Sequence, residues 1–562
     1  MKYTNVTDFI KEKINVAIDH TIDVIHENNI NRDSIEVVVE RNKNISFGDF
    51  STKFVLSLGL PMERAMEYAN EIASILFLGN KKYFSEVKVI KPGFINFKLT
   101  NFLLQQVLID IINEIDNFGI AKKTKLNYEI EFVSANPTGL LHIGHARNAA
   151  IGDTLARIWE ANGIHVTREY YINDAGNQME MLAMSVLVRY KQLFGQDVKL
   201  PEDSYHGEEI ITVASKLKDM YGDKFLNVEF NETGILPEYV KQNAAIKIFS
   251  EKHLLQIIRD TLKNFGVSFD IWFSETELYR NNLIKSTMGL LSDHCYVKEG
   301  ATWLKTTEYG DDKDRVLVKS DGQSTYFLPD IAYHNIKLSR GYNKIFNIWG
   351  ADHTSYADRM NIAMKILGHN PDKLVTLIMQ MVRLVKDGKE FKMSKRSGNS
   401  LTLDDLVKAI GKEPARWYLV SQPMSSHLEI DVDKATNNNN NNPLYYVQYA
   451  HARINQILSK IERVDLPKNF DLLTSNIERE IIVNLHSYVT TIRKIASSYE
   501  VNILTIYLYN LAKLFHSYYA SNKIIDLNNM ELTKQRYWLA FCIKTVIANG
   551  LALMDIKAVN KM

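Results

Sequence analysis

Hydrophobic and polar positions divide the chain into three kinds of pattern. Between about 125 and 400, short β-rich runs alternate with amphipathic ones. Residues 127–134 (N-Y-E-I-E-F-V-S), Val166–Ile172, Arg315–Lys319, Lys344–Trp349 and Val375–Met379 read as strands, and 142–161, 176–192, 330–339 and 356–366 as helices. That alternation predicts an α/β fold with a doubly wound parallel sheet, in a central unit over 121–401. From about 195 to 310 the alternation stops, and charged helices and a hairpin pattern (C-Y-V-K-E-G-A-T-W-L-K-T) read as an insertion. Ahead of the central unit, Ile10, Ile14, Ala17, Ile18, Ile22 and Ile25 form a helical stripe, 35–40 and 84–98 alternate like strands, and a helix falls at 60–77. Together they predict a small α/β domain over 1–120. Beyond Leu401 the strand signals disappear, and helical patterns at 444–463, 475–499, 501–519 and 533–553 predict an all-α bundle over 402–562.

Composition narrows the class. The chain is 46% hydrophobic and 24% charged, which fits a globular protein rather than a fibrous or disordered one. Its net charge is only +1, so any nucleic-acid surface must be a local patch offset by acid elsewhere. The two cysteines, Cys295 and Cys542, lie far apart without a C-x-x-C pattern, which predicts a reducing compartment and no structural zinc. The charged N-terminus lacks an apolar core of signal-peptide type, and no run is long enough to span a bilayer. A cytoplasmic protein without membrane contact is therefore expected. Six consecutive asparagines, Asn437 to Asn442, read as a solvated segment without chemistry.

Candidate chemistry begins where the first strand of the central unit ends. Asn136, Pro137, Thr138 and Gly139 break that strand, and an amphipathic run then starts a helix, placing His142, Gly144 and His145 on its first turn. Unpaired backbone N–H groups and the positive end of the helix dipole favour a phosphate there. The two histidines are three apart, hence on one face, and Gly144 lets a flat ring approach the backbone. A zinc site would need further ligands at short spacing, and none is nearby. Two ordinary surface histidines are the other alternative. Far downstream, Phe391-Lys392-Met393-Ser394-Lys395-Arg396-Ser397-Gly398-Asn399 is a basic, glycine-containing loop.

H-I-G-H followed some 250 residues later by K-M-S-K-R resembles the class I aminoacyl-tRNA synthetases. The longer words S-A-N-P-T-G-L-L-H-I-G-H-A-R-N, R-E-Y-Y-I-N-D-A-G-N-Q (168–178), D-R-V-L-V-K-S-D-G (314–322), T-Y-F-L-P-D-I-A-Y-H (325–334) and Y-Y-V-Q-Y-A-H-A-R (445–453) resemble the arginyl family of bacterial type, nearly end to end. The resemblance implies activation of L-arginine with ATP to arginyl-adenylate and pyrophosphate, then transfer to the terminal ribose of tRNA(Arg). It implies an N-terminal domain that reads the tRNA D-loop and a C-terminal bundle that binds the anticodon. ATP is expected to bring Mg²⁺ on its phosphates. A monomer is expected.

Site roles follow from the same resemblance. His142 and His145 would donate to the α-phosphate, with Gly144, Met393 and Ser394 also in the ATP site. Lys392 and above all Lys395 would neutralise the pyrophosphate, on a loop that Gly398 makes bendable. Arginine selectivity needs carboxylates shaped for a guanidinium. Asp330 is the first candidate, with Tyr326 packing on the flat end of the substrate, and Glu275 is the second. Ser134, Asn136 and His145 would hold the amino-acid end, and Asp352 or His353 follows a strand where ligands collect in such sheets. Phe94 and Asn96, and in the bundle Tyr446, Tyr449 and Tyr519, would contact tRNA bases. Against each stands a bland alternative: Phe94 or the tyrosines as core, Asn96 as a turn residue, Asp330 as a helix cap. A short nucleotidyltransferase, a silent tRNA-binding paralogue and a cysteine-type synthetase are the rival readings. The first would leave both end domains unexplained, the second would lack the histidines or lysines, and the third should carry zinc-ligand cysteines.

Overall fold

The structure is a computed structural model that describes residues 5–21, 23, 25, 30–391, 401–461 and 464–562. Ile22 of the first stripe and the loop residues Lys392, Met393, Ser394, Lys395, Arg396 and Gly398 lie outside the described residues. The chain forms two compact units.

One unit comprises Lys122–Asn437 with Glu500–Asn502. Its sheet has five parallel strands in the order Leu374–Met379, Lys344–Gly350, Asn127–Glu131, His165–Ile172, Ile271–Ser274. The strand order therefore reverses beside Asn127–Glu131, and ligands of such sheets gather outside the carboxyl ends of the strands at that point. Buried Ile130, Ile345, Phe346 and Ile348 supply the core of the central strands, and helix Ile143–Ala161 packs over them, with Trp159 fully buried against Phe346.

Three expectations need correction. Arg315–Val318 is a strand, but it pairs antiparallel with Ala301–Leu304 in a separate three-stranded sheet with Cys295–Lys298. The fifth parallel strand is instead Ile271–Ser274, inside the stretch assigned to the insertion. The insertion proper is the helical cluster built on Asn177–Gln192, Glu208–Tyr221 and Val240–Asn264, which has its own apolar core. Strands also continue past Leu401: Leu428–Asp431 pairs parallel with Val382–Lys386, so 402–437 belongs to this unit rather than to the helical bundle.

The other unit joins Met1–Ala121 to Asn438–Tyr499 and Ile503–Met562. Its four-stranded antiparallel sheet runs Val39–Arg41, Phe50–Thr52, Phe94–Leu99, Phe84–Ile90, with helices Val6–Asp19 and Met62–Gly79 on it. Ile95, Phe97 and Leu99 point into the core. Helices Pro443–Leu458, Asn476–Ser498, Asn502–Ser521 and Met530–Ala552 make the bundle. Arg479 fastens the two parts, its guanidinium donating to the buried Asp49 at 2.8 Å and to the Leu99 carbonyl at 2.8 Å. The amino-terminal α/β domain and the carboxy-terminal bundle thus share one compact unit.

Candidate active site

The turn after Asn127–Glu131 is strained. Val133 and Ser134 have φ of 69° and 40°, and a β-branched residue rarely adopts such a value. A strained residue of this kind costs about 1–3 kcal/mol and persists only when its surroundings hold it. Here Val133 N–H donates to Asn148 Oδ1 at 2.9 Å, and the Asn148 amide donates on to the Ile348 carbonyl at 3.0 Å. The Ser134 hydroxyl donates to Glu131 at 2.9 Å and accepts from Tyr171 N–H at 3.1 Å, so it serves the frame of the turn. Asn136 is tied in by Asn173 and Gln178, each at 2.7 Å.

His142 is the N-cap of helix Ile143–Ala161, one position before the first turn on which it was expected. Its Nδ1 accepts from the N–H groups of Gly144 at 3.0 Å and His145 at 3.4 Å, while His145 Nδ1 accepts from His142 N–H at 3.2 Å. The rings stack with centroids 3.6 Å apart. The free amides expected to meet a phosphate are therefore already capped by the His142 ring. Burial holds both imidazoles in the neutral form, pushing His145 down to about 3 with help from His142. A neutral imidazole that accepts at Nδ1 carries its proton on Nε2, so each ring keeps one Nε2–H to donate. A Cβ on Gly144 would stand 2.8 Å from the His142 ring, which is why no side chain fits there.

The segment after the basic loop reaches this helix start. Ile143 N–H donates to the Leu401 carbonyl at 3.0 Å, and Leu403 N–H to the Leu141 carbonyl at 2.7 Å. Arg147, fully buried, donates to the carbonyls of Gln380 at 2.7 Å, Pro423 at 2.9 Å and Ser426 at 2.9 Å.

Carboxylates gather on the other side of the turn. Asp330, in the first turn of helix Phe327–Ser339, accepts from the Tyr356 hydroxyl. Glu275, following strand Ile271–Ser274, is buried and hydrogen-bonded to Tyr171 and Tyr279. Burial pushes Asp330 up to about 6, against the Tyr356 hydrogen bond and with help from Glu131. Burial, Asp330 and Asp174 push Glu275 up to about 7. No Lys or Arg among the described residues pairs with either. Glu131 differs: burial works to raise it, but Lys337 at 2.8 Å more than offsets this and keeps it ionised. Lys337, fully buried, also meets Glu129 at 3.3 Å and donates to Asn347 at 2.9 Å. Arg340 pairs with Glu129 and Glu169, so three carboxylates share two cations beneath the pocket.

Some expected residues lie elsewhere. Tyr326 directly precedes the helix, but its side chain is open to solvent, 87% exposed; the rings at the carboxylates are Tyr171, Tyr279 and Tyr356. Asp352 and His353 follow strand Lys344–Gly350, exposed and paired with each other at 3.2 Å. Glu131, Tyr171, Tyr356 and Lys337 were missed, although Glu131 and Tyr171 lie within the quoted words. In the other unit Asn96 is a buried strand residue, accepting from the Asn42 amide at 3.2 Å, and Phe94 is half-buried at the strand start. Tyr446 packs between Tyr509 and His516. Tyr449 stacks on Tyr445, centroids 6.0 Å apart with the ring planes nearly parallel, and on His516 at 5.6 Å, and Arg453 lies over both Tyr449 and Tyr519. A cavity of about 490 Å³ opens there, lined by Asn438–Asn441, Tyr445 and Tyr449.

A parallel sheet with a histidine-capped helix at its switch point, and Leu401 and Leu403 hydrogen-bonded at that helix start, fits a class I aminoacyl-tRNA synthetase catalytic domain. The family profile described as "tRNA synthetases class I (R), catalytic domain" matches residues 106–455, more than half of the chain. "Arginyl tRNA synthetase N terminal domain" matches 8–99, and "DALR anticodon binding domain" matches 447–562. Arginine--tRNA ligase of Malacoplasma penetrans is 47% identical over 98% of this chain and 97% of its own length. That of Bacillus cereus is 39% identical over 94% of each. The Thermus thermophilus arginyl-tRNA synthetase structure superposes with a TM-score of 0.75, covering 99% of this chain and all of that one at 19% identity, a likeness of fold. The chain belongs to the arginyl-tRNA synthetase family.

Proposed function

We infer that the protein is an arginine–tRNA ligase, which joins L-arginine to tRNA(Arg) through arginyl-adenylate at the expense of ATP. The observation that carries this reading is the neighbouring carboxyl pair of buried Glu275 and half-buried Asp330, which no Lys or Arg among the described residues pairs with. A guanidinium is the group that two such carboxyls bind with charge and geometry together. In this assignment Asp330 and Glu275 take the guanidinium, and Tyr326 swings onto its flat face. Asn136 and His145 hold the ammonium and carboxylate, with Ser134 keeping the turn in shape and Asp352 and His353 bordering the site. The substrate carboxylate attacks the α-phosphorus, and the bond to the pyrophosphate oxygen breaks. The Nε2–H groups of His142 and His145 donate to the α-phosphate as charge builds, which neutral imidazoles do without repelling an arriving cation. Gly144, Met393 and Ser394 border the nucleotide, and Lys392 and Lys395 receive the pyrophosphate. Mg²⁺ would come with the nucleotide rather than in a protein cage, and would offset phosphate charge there.

For tRNA, Phe94 and Asn96 are assigned to the D-loop, and Tyr449 and Tyr519, joined by Tyr445, to the anticodon; Tyr446 supports that face from behind. The protein acts as a monomer in the cytoplasm, and no helix among the described residues is long and apolar enough to cross a membrane. The test is charging of purified tRNA with each amino acid in turn, together with amino-acid-dependent ATP–pyrophosphate exchange. Arginine alone should be charged. Charging with another amino acid would reassign the pocket, and no exchange under any condition would mark a silent paralogue.

A further inference from the structure

We propose that a cleft in the unit containing the bundle binds one unstacked nucleotide of an RNA ligand, a site separate from Phe94 and from the tyrosine face. It lies between the segment after strand Val39–Arg41 and helices Asn476–Ser498 and Asn502–Ser521, and measures about 360 Å³. That is near the lower end of ligand-pocket sizes, about 300–1,000 Å³. The proposal rests on the tRNA-ligase reading above.

Charge is the first argument. Arg41, Lys43 and Lys513 face one carboxylate, Glu480, leaving a net of two positive charges in a chain that is nearly neutral overall. Glu480 is already engaged by Arg41 at 3.3 Å, so an incoming phosphate meets the exposed Lys43 and Lys513 without a free carboxylate beside them. A basic patch alone would describe many surfaces.

Two buried atoms make this one a site. Asn484 lines the cleft at 2% exposure, and its Oδ1 has no hydrogen-bond partner among the described residues. Arg41 Nε is buried and equally without a partner. An unmatched buried acceptor is costly, and native structures keep few of them. The cleft thus offers an acceptor and an N–H donor, each waiting for a complement. An adenine or cytosine edge supplies both, an amino group beside a ring nitrogen, while the lysines hold the attached phosphate. Asn42, also in the lining, donates to Asn96 at 3.2 Å, so the cleft backs onto the strand that carries Phe94.

The test uses the full chain and a tRNA(Arg) transcript, with affinity measured across a salt series. Lys43→Ala with Lys513→Ala should weaken binding about tenfold and reduce the slope of log K against log salt by about 1.4, two contacts at about 0.7 each. Asn484→Leu should weaken binding about five- to tenfold with the slope unchanged, and should not lower Tm, because it removes an unmatched acceptor. Wild-type affinity and slope in all variants would overturn the proposal, as would weakened binding by Asn484→Leu that tracks a lowered Tm. AMP, CMP and UMP at millimolar concentration should not displace the tRNA. Displacement by AMP or CMP that disappears in Asn484→Leu would assign the cleft to a free nucleotide and overturn the RNA assignment. Arginine charging by the wild type is followed in parallel: charging alongside unaffected variants sinks the cleft alone, whereas absence of charging sinks the reading beneath it.

Discussion

On one side of the turn at 132–141, Glu275 and Asp330 are acids that burial holds toward their protonated forms. On the other side, His142 and His145 are bases that burial holds neutral. The two groups of side chains are opposite in chemistry and alike in state, since each carries less charge than its residue type would carry in water. The difference lies beneath them. The acids rest on Glu131 and Lys337, a buried pair with a fixed negative end, whereas the histidines rest on backbone, each ring capping the amides of the other. A ligand cation restores charge to the acids and gains a strong electrostatic contact. A ligand anion meets two neutral donors, which stabilise growing charge without a permanent attraction. The acids are suited to choosing a substrate and the histidines to speeding a reaction.

That division predicts different kinetic signatures. Asp330→Asn removes one partner of a desolvated charge pair, which costs about 2–5 kcal/mol, roughly a 30- to 3,000-fold loss in kcat/KM for arginine. The loss should fall in KM for arginine, with KM for ATP unmoved, in steady-state exchange assays. His142→Ala should behave in the opposite way, losing about 10²–10³ in kcat for activation with arginine binding near normal. If His142→Ala raised the arginine KM as much as Asp330→Asn does, the two sides would not be separate in function. A smaller effect tests the backbone frame. Gly144→Ala puts a methyl 2.8 Å from the His142 ring, forcing it to tilt and weakening a cap worth about 0.5–2 kcal/mol. About a tenfold loss in kcat is expected, again with the arginine KM unchanged.

The sequence made some of this legible. Long alternating runs located four of the five parallel strands, because buried strands need consecutive β-formers. Ile271–Ser274 escaped notice because four residues among charged helices carry too short a signal, while Arg315–Val318 has the same local pattern as a parallel strand and differs only in its partner. The histidine motif was visible, but its capping role was not, since histidine is an unusual N-cap residue. Asp330 and Glu275 were readable as carboxyls. What keeps Glu131 ionised is a lysine 206 residues away, which no local pattern indicates. Tyr445 and Tyr446 are neighbours in sequence, and only packing against Tyr509 and His516 decides which one turns inward.

The gentlest probe of the comparison is pH. Glu275 is raised from 4.5 to about 7 and Asp330 from 3.8 to about 6, so between about pH 4 and 7 the folded, ligand-free protein binds more protons than the unfolded chain. Its stability from these two groups therefore falls as pH rises through that window. Arginine reverses the trend, because the guanidinium favours both ionised forms. The thermal upshift produced by saturating arginine should be larger at about pH 8 than at about pH 6, and the acid limb of kcat/KM for arginine should fall between 6 and 7. Glu275→Gln deletes the higher of the two titrations. The limb should then move toward 6, and the pH dependence of the upshift should shrink by several-fold or less. His145, held down to about 3, is neutral throughout this range, and burial lowers His142 as well, so the limb is expected from the acids. A limb that stayed in place in Glu275→Gln but moved in His142→Asn would transfer the titration to the other side of the turn and collapse the distinction between an acid that selects and a base that donates.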